Sequence, residues 1–215
     1  MSLTLLSELP QRLDRRLGCC VLIAVKQRVQ GKGRLAGRLA VPARVELVRS
    51  MLGRVLEAAR AAQTVRQVFV VSPERDTVPD AIPVLADSGQ GLNEALIQSH
   101  RALLELGVRE LLVLHADLPE VTPGEIDILV RAGRGAGFAI APDTADTGSN
   151  ALCLATGAPF QFQFGPDSKR RHLQEARRLG LRPRIVRLPG LQFDIDTAED
   201  LRRLEEGAWA AQLGL

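Results

Sequence analysis

Three aspartates stand where apolar segments end or alternate with polar positions. Asp117 follows the run Leu111 to Leu114 within ELLVLHADLPEVTP, Glu110 to Pro123. Four apolar residues in a row fit a strand buried on both faces, and ligands of open α/β sheets sit at the carboxyl edge of such strands. Asp194 and Asp196 alternate with Phe193 and Ile195. On a strand, residues i and i+2 face the same way, about 6–7 Å apart, so this pair can share a hard cation with a third carboxylate. Plainer alternatives stand beside this reading: Asp117 closes a turn before Pro119, and Asp196 is a helix cap residue.

A second group of residues suits phosphate. Lys26, Lys32 and Arg34 share a loop with Gly31 and Gly33, after the apolar run Cys19 to Val25 and before a helical pattern from about Pro42 to Ala62. Main-chain N–H groups and positive charge in such a loop can hold a polyphosphate, although a solvated surface loop has the same composition. It is not a Walker A sequence, and Gly31, Gly33 and Gly37 miss the GxGxxG spacing by one residue, so neither a P-loop NTPase nor a standard NAD enzyme is indicated.

Two further glycine-containing segments open helices. Asp87-Ser88-Gly89-Gln90-Gly91-Leu92-Asn93 allows close approach of a flat ring or a phosphate, with Asn93 offering both a donor and an acceptor; an ordinary Gly-rich turn would look the same. Gly165-Pro166-Asp167-Ser168 starts a basic helix with Lys169, Arg170, Arg171 and His172, whose amino end is a natural site for an anion through free N–H groups. Ser168 as a plain cap and Gly165 as a plain turn residue are the alternatives. His100, inside the helix after Asn93, and His115, beside the central strand, read as structural.

The elements that must position these groups alternate strand and helix. Strands are expected at Cys19 to Val25, Gln67 to Val71, Pro83 to Ala86, Leu111 to Leu114, Phe138 to Pro142, and Arg184 to Leu188. Phe160 to Phe164 alternates apolar residues with Gln and is expected as an edge strand. Thr122, Pro123 and Glu125 form a helix start that leaves Asp117 at the rim. This is an α/β pattern: a single Rossmann-like domain with a mostly parallel sheet, right-handed crossovers and flanking helices. Residues 1–17, with Leu at 3, 6, 9, 13 and 17 among charges, read as an amphipathic N-terminal extension to a domain spanning 18–215.

Composition narrows the function classes. The 215 residues are 46% hydrophobic, enough for one substantial core. Lys and Arg number 28 against 25 acidic residues, a net charge of +3 that suits a small anionic substrate. Aromatics are 3% with no Tyr, so no stacking platform for single-stranded nucleic acid is expected. Cys19, Cys20 and Cys153 lack CxxC or Cys/His spacing, which signals neither a disulfide framework nor zinc and fits a reducing cytoplasm. The apolar run Cys19 to Val25 is far short of the roughly 20 residues that span a bilayer.

Taken in order, these segments resemble the guanylyltransferases that activate 2-phospho-L-lactate or phosphoenolpyruvate in coenzyme F(420) biosynthesis, a branch of the nucleotide-diphospho-sugar transferase (MobA-like) fold. The resemblance runs from Val21 to Glu206. It rests on Val25-Lys26 with Gly31 to Leu35, Gly91-Leu92-Asn93, Ala116-Asp117-Leu118-Pro119, Ala141-Pro142-Asp143, Gly148 to Leu152, Phe164-Gly165 with Ser168 and His172, and Asp194-Ile195-Asp196-Thr197. Gly31 stands where the family usually has alanine, and Ser149 where it has threonine, which keeps the hydroxyl; the extension before Gly18 is outside the family pattern.

The resemblance implies Mg²⁺ on Asp117, Asp194 and Asp196, and the GTP triphosphate on Lys26, Lys32 and Arg34. It implies the nucleotide against Asp87, Gly89, Gly91, Leu92 and Asn93, and the phospho-acid against Ser149, Asn150, Gly165 and Ser168. A homodimer is allowed as a partner state. The same architecture also serves nucleotidyltransferases acting on molybdopterin or sugar phosphates. A non-catalytic nucleotide-binding protein is a further alternative, but it would be expected to have lost carboxylates that are present here.

Overall fold

The computed structural model describes residues 18–25, 35–72, 78–86, 90–155 and 157–206. The extension 1–17 and the expected site residues Lys26, Lys32, Arg34, Asp87 and Gly89 lie outside them. Among the described residues seven strands form one sheet: β1 (Cys19–Ala24), β2 (Val65–Ser72), β3 (Val84–Ala86), β4 (Leu111–His115), β5 (Phe138–Pro142), β6 (Ser149–Leu154) and β7 (Arg184–Ile185). Their order across the sheet is β3-β2-β1-β4-β6-β5-β7. All are parallel to their neighbours except β6, which runs antiparallel to both β4 and β5.

The helices are α1 (Val41–Ala61), α2 (Leu92–Glu105), α3 (Pro123–Ala136), α4 (Ser168–Arg178), α5 (Pro189–Gln192) and α6 (Ala198–Glu206). Successive strand residues point to opposite faces, so each buried strand feeds two cores. Val21 and Ile23 of β1 join Leu112 and Leu114 of β4 beneath Leu52 and Val55 of α1 and Leu129 and Val130 of α3. Leu22, Leu111 and Val113 face the other way, against Leu96 and Leu103 of α2, Ala176 of α4, Phe160 and Phe162. A smaller third cluster joins Leu35, Leu47 and Met51 to Phe193, Ile195, Leu201 and Leu204.

Helix α3 begins with the anticipated capping box. Glu125 N–H donates to Thr122 Oγ1, and Glu125 Oε2 accepts from Thr122 N–H at 2.9 Å. The second oxygen of Glu125 accepts from Gly190 N–H at 2.8 Å, tying α5 to the same helix end. On α3, the buried Asp127 accepts from Thr64 N–H at 2.8 Å, Thr64 Oγ1 at 2.7 Å and Gln63 N–H at 3.2 Å, fixing the turn that enters β2.

Two expected strands are corrected. Phe160 to Phe164 joins no sheet: its N–H groups at 161, 163 and 164 donate to Glu175 Oε1, His172 Nε2 and Asn93 Oδ1 at 3.1, 2.9 and 2.7 Å. The alternation is real, with Phe160 and Phe162 buried, but side chains take the place of a partner strand. Phe193 to Asp196 is likewise not a strand; it leaves α5 as irregular chain, and only the in-out alternation survives.

Candidate active site

Because β6 alone is reversed, its first residues lie at the same sheet edge as the last residues of β1, β4 and β5. That rim therefore gathers Ser149 and Asn150 beside Asp117, which lies two residues past β4. The segment 193–196 is stitched to it by Ile195 N–H donating to Asp117 O at 3.3 Å. Phe193 and Ile195 are buried, so Asp194 and Asp196 are left facing the rim.

Carboxylate oxygens of Asp117, Asp194 and Asp196 lie within 4.8 Å of one another. Three oxygen donors so close suit a hard divalent cation such as Mg²⁺ or Mn²⁺, and no thiolate or second carboxylate cluster competes among the described residues. The surrounding bonds hold this geometry. Asn150 Nδ2 donates to Leu191 O at 3.1 Å, Gln192 O at 3.0 Å and Asp194 Oδ1 at 3.3 Å, so it braces the end of α5 against the carboxylate that follows. Asp200 Oδ2 accepts from Asp196 N–H at 3.1 Å and from both Thr197 N–H and Oγ1, while Thr197 Oγ1 caps α6 by accepting from Asp200 N–H.

Two histidines stand at this rim: His115, which the sequence left as structural, and His172, which entered there only with the basic helix and the family motif. His115 Nδ1 lies 3.9 Å from Asp117 Oδ1, and its ring packs 4.9 Å from that of Phe164. His172 is fully buried, with Nδ1 2.9 Å from Ser149 Oγ and Nε2 accepting from Gln163 N–H. Burial, then the charges of His115 and Arg171, push its pKa down to about 3, so the ring is neutral. The sequence signals for His172 were its place beside Ser168 in the family motif and its position four residues after that serine, which places both on one face of α4. His100 is structural as expected: it is buried, edge-on to Phe162, and burial lowers its pKa to about 4.

The amino end of α4 differs from expectation. Ser168 is not its cap; Asp167 occupies that position, in the left-handed region at φ 54°, without a side-chain cap bond. The N–H groups of Ser168 and Lys169 are not free either, since they donate to Gly165 O and Thr147 O at 3.1 Å each. An anion here would meet hydroxyls rather than those two amides. Gly165 has φ 126°, which L side chains rarely adopt, so glycine is required by the backbone.

At the start of α2, Gly91 is the cap residue at φ 93° and Leu92 the first helical residue. The side-chain amide of Asn93 is engaged at both ends: Oδ1 accepts from Phe164 N–H and Nδ2 donates one proton to Phe164 O at 3.1 Å. It joins the Gly91 turn to the segment that leads into Gly165, a role the spacing alone did not reveal.

This architecture has solved counterparts. A putative nucleotide-diphospho-sugar transferase from Desulfovibrio desulfuricans superposes with a TM-score of 0.73 at 15% identity, covering 91% of this chain and 94% of that one. A 4-diphosphocytidyl-2C-methyl-D-erythritol synthase gives 0.59 at 17% identity, over 88% and 98%. A Mycobacterium tuberculosis protein solved as a manganese complex gives 0.57 at 18% identity, over 88% and 98%. The fold is that of the nucleotide-diphospho-sugar transferases. Within it, residues 19–205 match the family "Guanylyl transferase CofC like", and the chain belongs to that family. The phosphoenolpyruvate guanylyltransferase of Rubrobacter xylanophilus is 41% identical over 86% of this chain and 92% of its own length. That of Sphaerobacter thermophilus is 41% identical over 85% and 90%. The protein is thus a guanylyltransferase.

Proposed function

We propose that the protein transfers GMP from GTP to phosphoenolpyruvate, or to the closely similar 2-phospho-L-lactate or 3-phospho-D-glycerate, with release of pyrophosphate, as a step of coenzyme F(420) biosynthesis in the cytoplasm. The observation that carries this reading is the convergence of Asp117, Asp194 and Asp196 at the rim of a chain whose relatives are phosphoenolpyruvate guanylyltransferases. An oxygen of the acceptor's phosphate attacks the α-phosphorus in line; the new P–O bond forms as the bond to the β-phosphate breaks, and pyrophosphate leaves with that electron pair. The attacking group is already an anion, so no protein nucleophile or base is needed, and catalysis is positioning and charge neutralisation.

The three aspartates would hold Mg²⁺, which when bound offsets the repulsion between two polyanions. Lys26, Lys32 and Arg34 take the triphosphate. The segment 87–93 lies against guanine, with Asn93 holding that turn to the acceptor side. Ser149, Gly165 and Ser168 receive the phospho-acid, and Asn150 acts behind them by bracing Asp194.

The test is pyrophosphate release from purified protein with Mg²⁺, GTP and each acid in turn. Phosphoenolpyruvate should support turnover, and ATP in place of GTP should lower it by about 100-fold or more, because the two bases present opposed hydrogen-bonding edges. Equal rates with ATP, or release that no acid stimulates, would remove this reading. A second measurement concerns the brace. Asn150→Ala is expected to lower kcat by roughly 10- to 100-fold, the range found when a group supporting a metal ligand is lost. The Mg²⁺ concentration needed for half-maximal rate should rise with it; an unchanged Mg²⁺ dependence would show that Asn150 does not act through Asp194.

A further inference from the structure

The pairing of Ser149 with His172 fixes the direction of a hydrogen bond, and with it the character of the hydroxyl at the rim. Gln163 N–H can only donate, and it points at His172 Nε2 at 2.9 Å, so that nitrogen must hold a lone pair. A ring with an unprotonated Nε2 carries its one proton on Nδ1. Nδ1–H faces Ser149 Oγ at 2.9 Å, and the serine oxygen is therefore the acceptor. Phe160 and Phe164 pack on the ring at 5.9 and 4.7 Å between centroids, holding it in this orientation. A hydroxyl has a single proton, and here that proton is not used toward the histidine. Ser149 is only 3% exposed, and no other hydrogen bond of its Oγ is found among the described residues.

We propose that His172 is a positioning residue for the acceptor: by donating to Ser149 it leaves the serine proton to be given to an oxyanion of the phospho-acid. The opposite tautomer would draw that proton to Nδ1 and turn serine lone pairs toward the substrate, where they would repel its charge. The backbone N–H of Gln163 thus selects, through the ring, which face of the hydroxyl the acid meets. This rests on the reading that the phospho-acid sits at Ser149.

Two measurements separate the inference from that reading. In a long-range ¹⁵N correlation spectrum of the labelled wild-type protein, His172 should show a pyridine-like Nε2 and a pyrrole-like Nδ1; the reverse pattern overturns the proposal, with no substrate involved. In kinetics, Ser149→Ala and His172→Gln should each raise KM for phosphoenolpyruvate roughly ten-fold or more, the worth of a hydrogen bond to a charged group, and leave KM for GTP nearly unchanged. The double variant should be little worse than Ser149→Ala, because both changes remove one contact. If Ser149→Ala raises the acid KM while a folded His172→Gln does not, the inference fails and the acceptor site stands. If Ser149→Ala leaves the acid KM unchanged, both fall. Should His172→Gln not fold, the spectrum of the wild-type protein decides.

Discussion

Asparagine at any one of positions 117, 194 or 196 should lower guanylyl transfer by roughly 10²- to 10³-fold, the size of losing one preorganised electrostatic contact to developing charge. The three carboxylate oxygens lie within 4.8 Å of one another, and each asparagine keeps shape while losing the charge that a hard cation requires. The fold should survive. Asn150 Nδ2 can still donate to an amide oxygen at position 194, and the bonds that shape the segment on either side, Ile195 N–H to Asp117 O and Asp196 N–H to Asp200 Oδ2, do not use these side chains as partners. Pyrophosphate release measured across a Mg²⁺ titration, beside a melting curve, checks both halves. A variant with near-normal turnover would take that residue out of the metal set.

The largest effect on stability is expected far from the rim, at Asp127. Its carboxylate receives three donors, two from Thr64 and one from Gln63, and lies almost wholly buried. Asp127→Ala strands those donors at about 1–3 kcal/mol for each one left buried, so a loss of roughly 3–5 kcal/mol is expected. For a chain of this size that is a fall in Tm on the order of 10 °C. Arg131, 3.8 Å away and well exposed, adds little.

Burial alone would raise the Asp127 pKa, but the bonds from Thr64 and Gln63 with the Arg131 charge more than offset it and hold the group below the usual carboxylate range. A depressed folded pKa contributes stability above the unfolded value, near 3.9, and loses it as pH falls through the folded value. The gap in stability between wild type and Asp127→Asn should therefore narrow on acidification below about pH 4. Parallel urea melts at neutral and acid pH test this; a gap that widened in acid would contradict the assignment.

How far the site was legible depends on what each residue relies on. Asp117 was readable because four apolar residues before it dictate a buried strand, and the edge of that strand has one position in an α/β sheet. Asp194 and Asp196 were readable from alternation with Phe193 and Ile195, although the segment is not a strand, because burial of two apolar side chains turns their neighbours outward whether or not a ladder forms. Alternation carries no record of partners. For Phe160 to Phe164 the N–H groups go to Glu175, His172 and Asn93, side chains up to 71 positions away, and no local pattern announces that. Nor does periodicity carry direction, so the reversal of β6, which brings Ser149 to the rim, stayed hidden. The same limit applies at α4, whose first two N–H groups find carbonyls of Thr147 and Gly165 through tertiary packing.

Among the described residues the sheet is bounded by its two shortest strands, three residues at β3 and two at β7. A second polypeptide docking alongside either would find too few backbone groups for a continuous intermolecular ladder, and Pro183 with the exposed Arg184 further blunts the outer side. Those two described edges thereby offer little template for edge-to-edge aggregation despite a central sheet of nearly unbroken apolar strands.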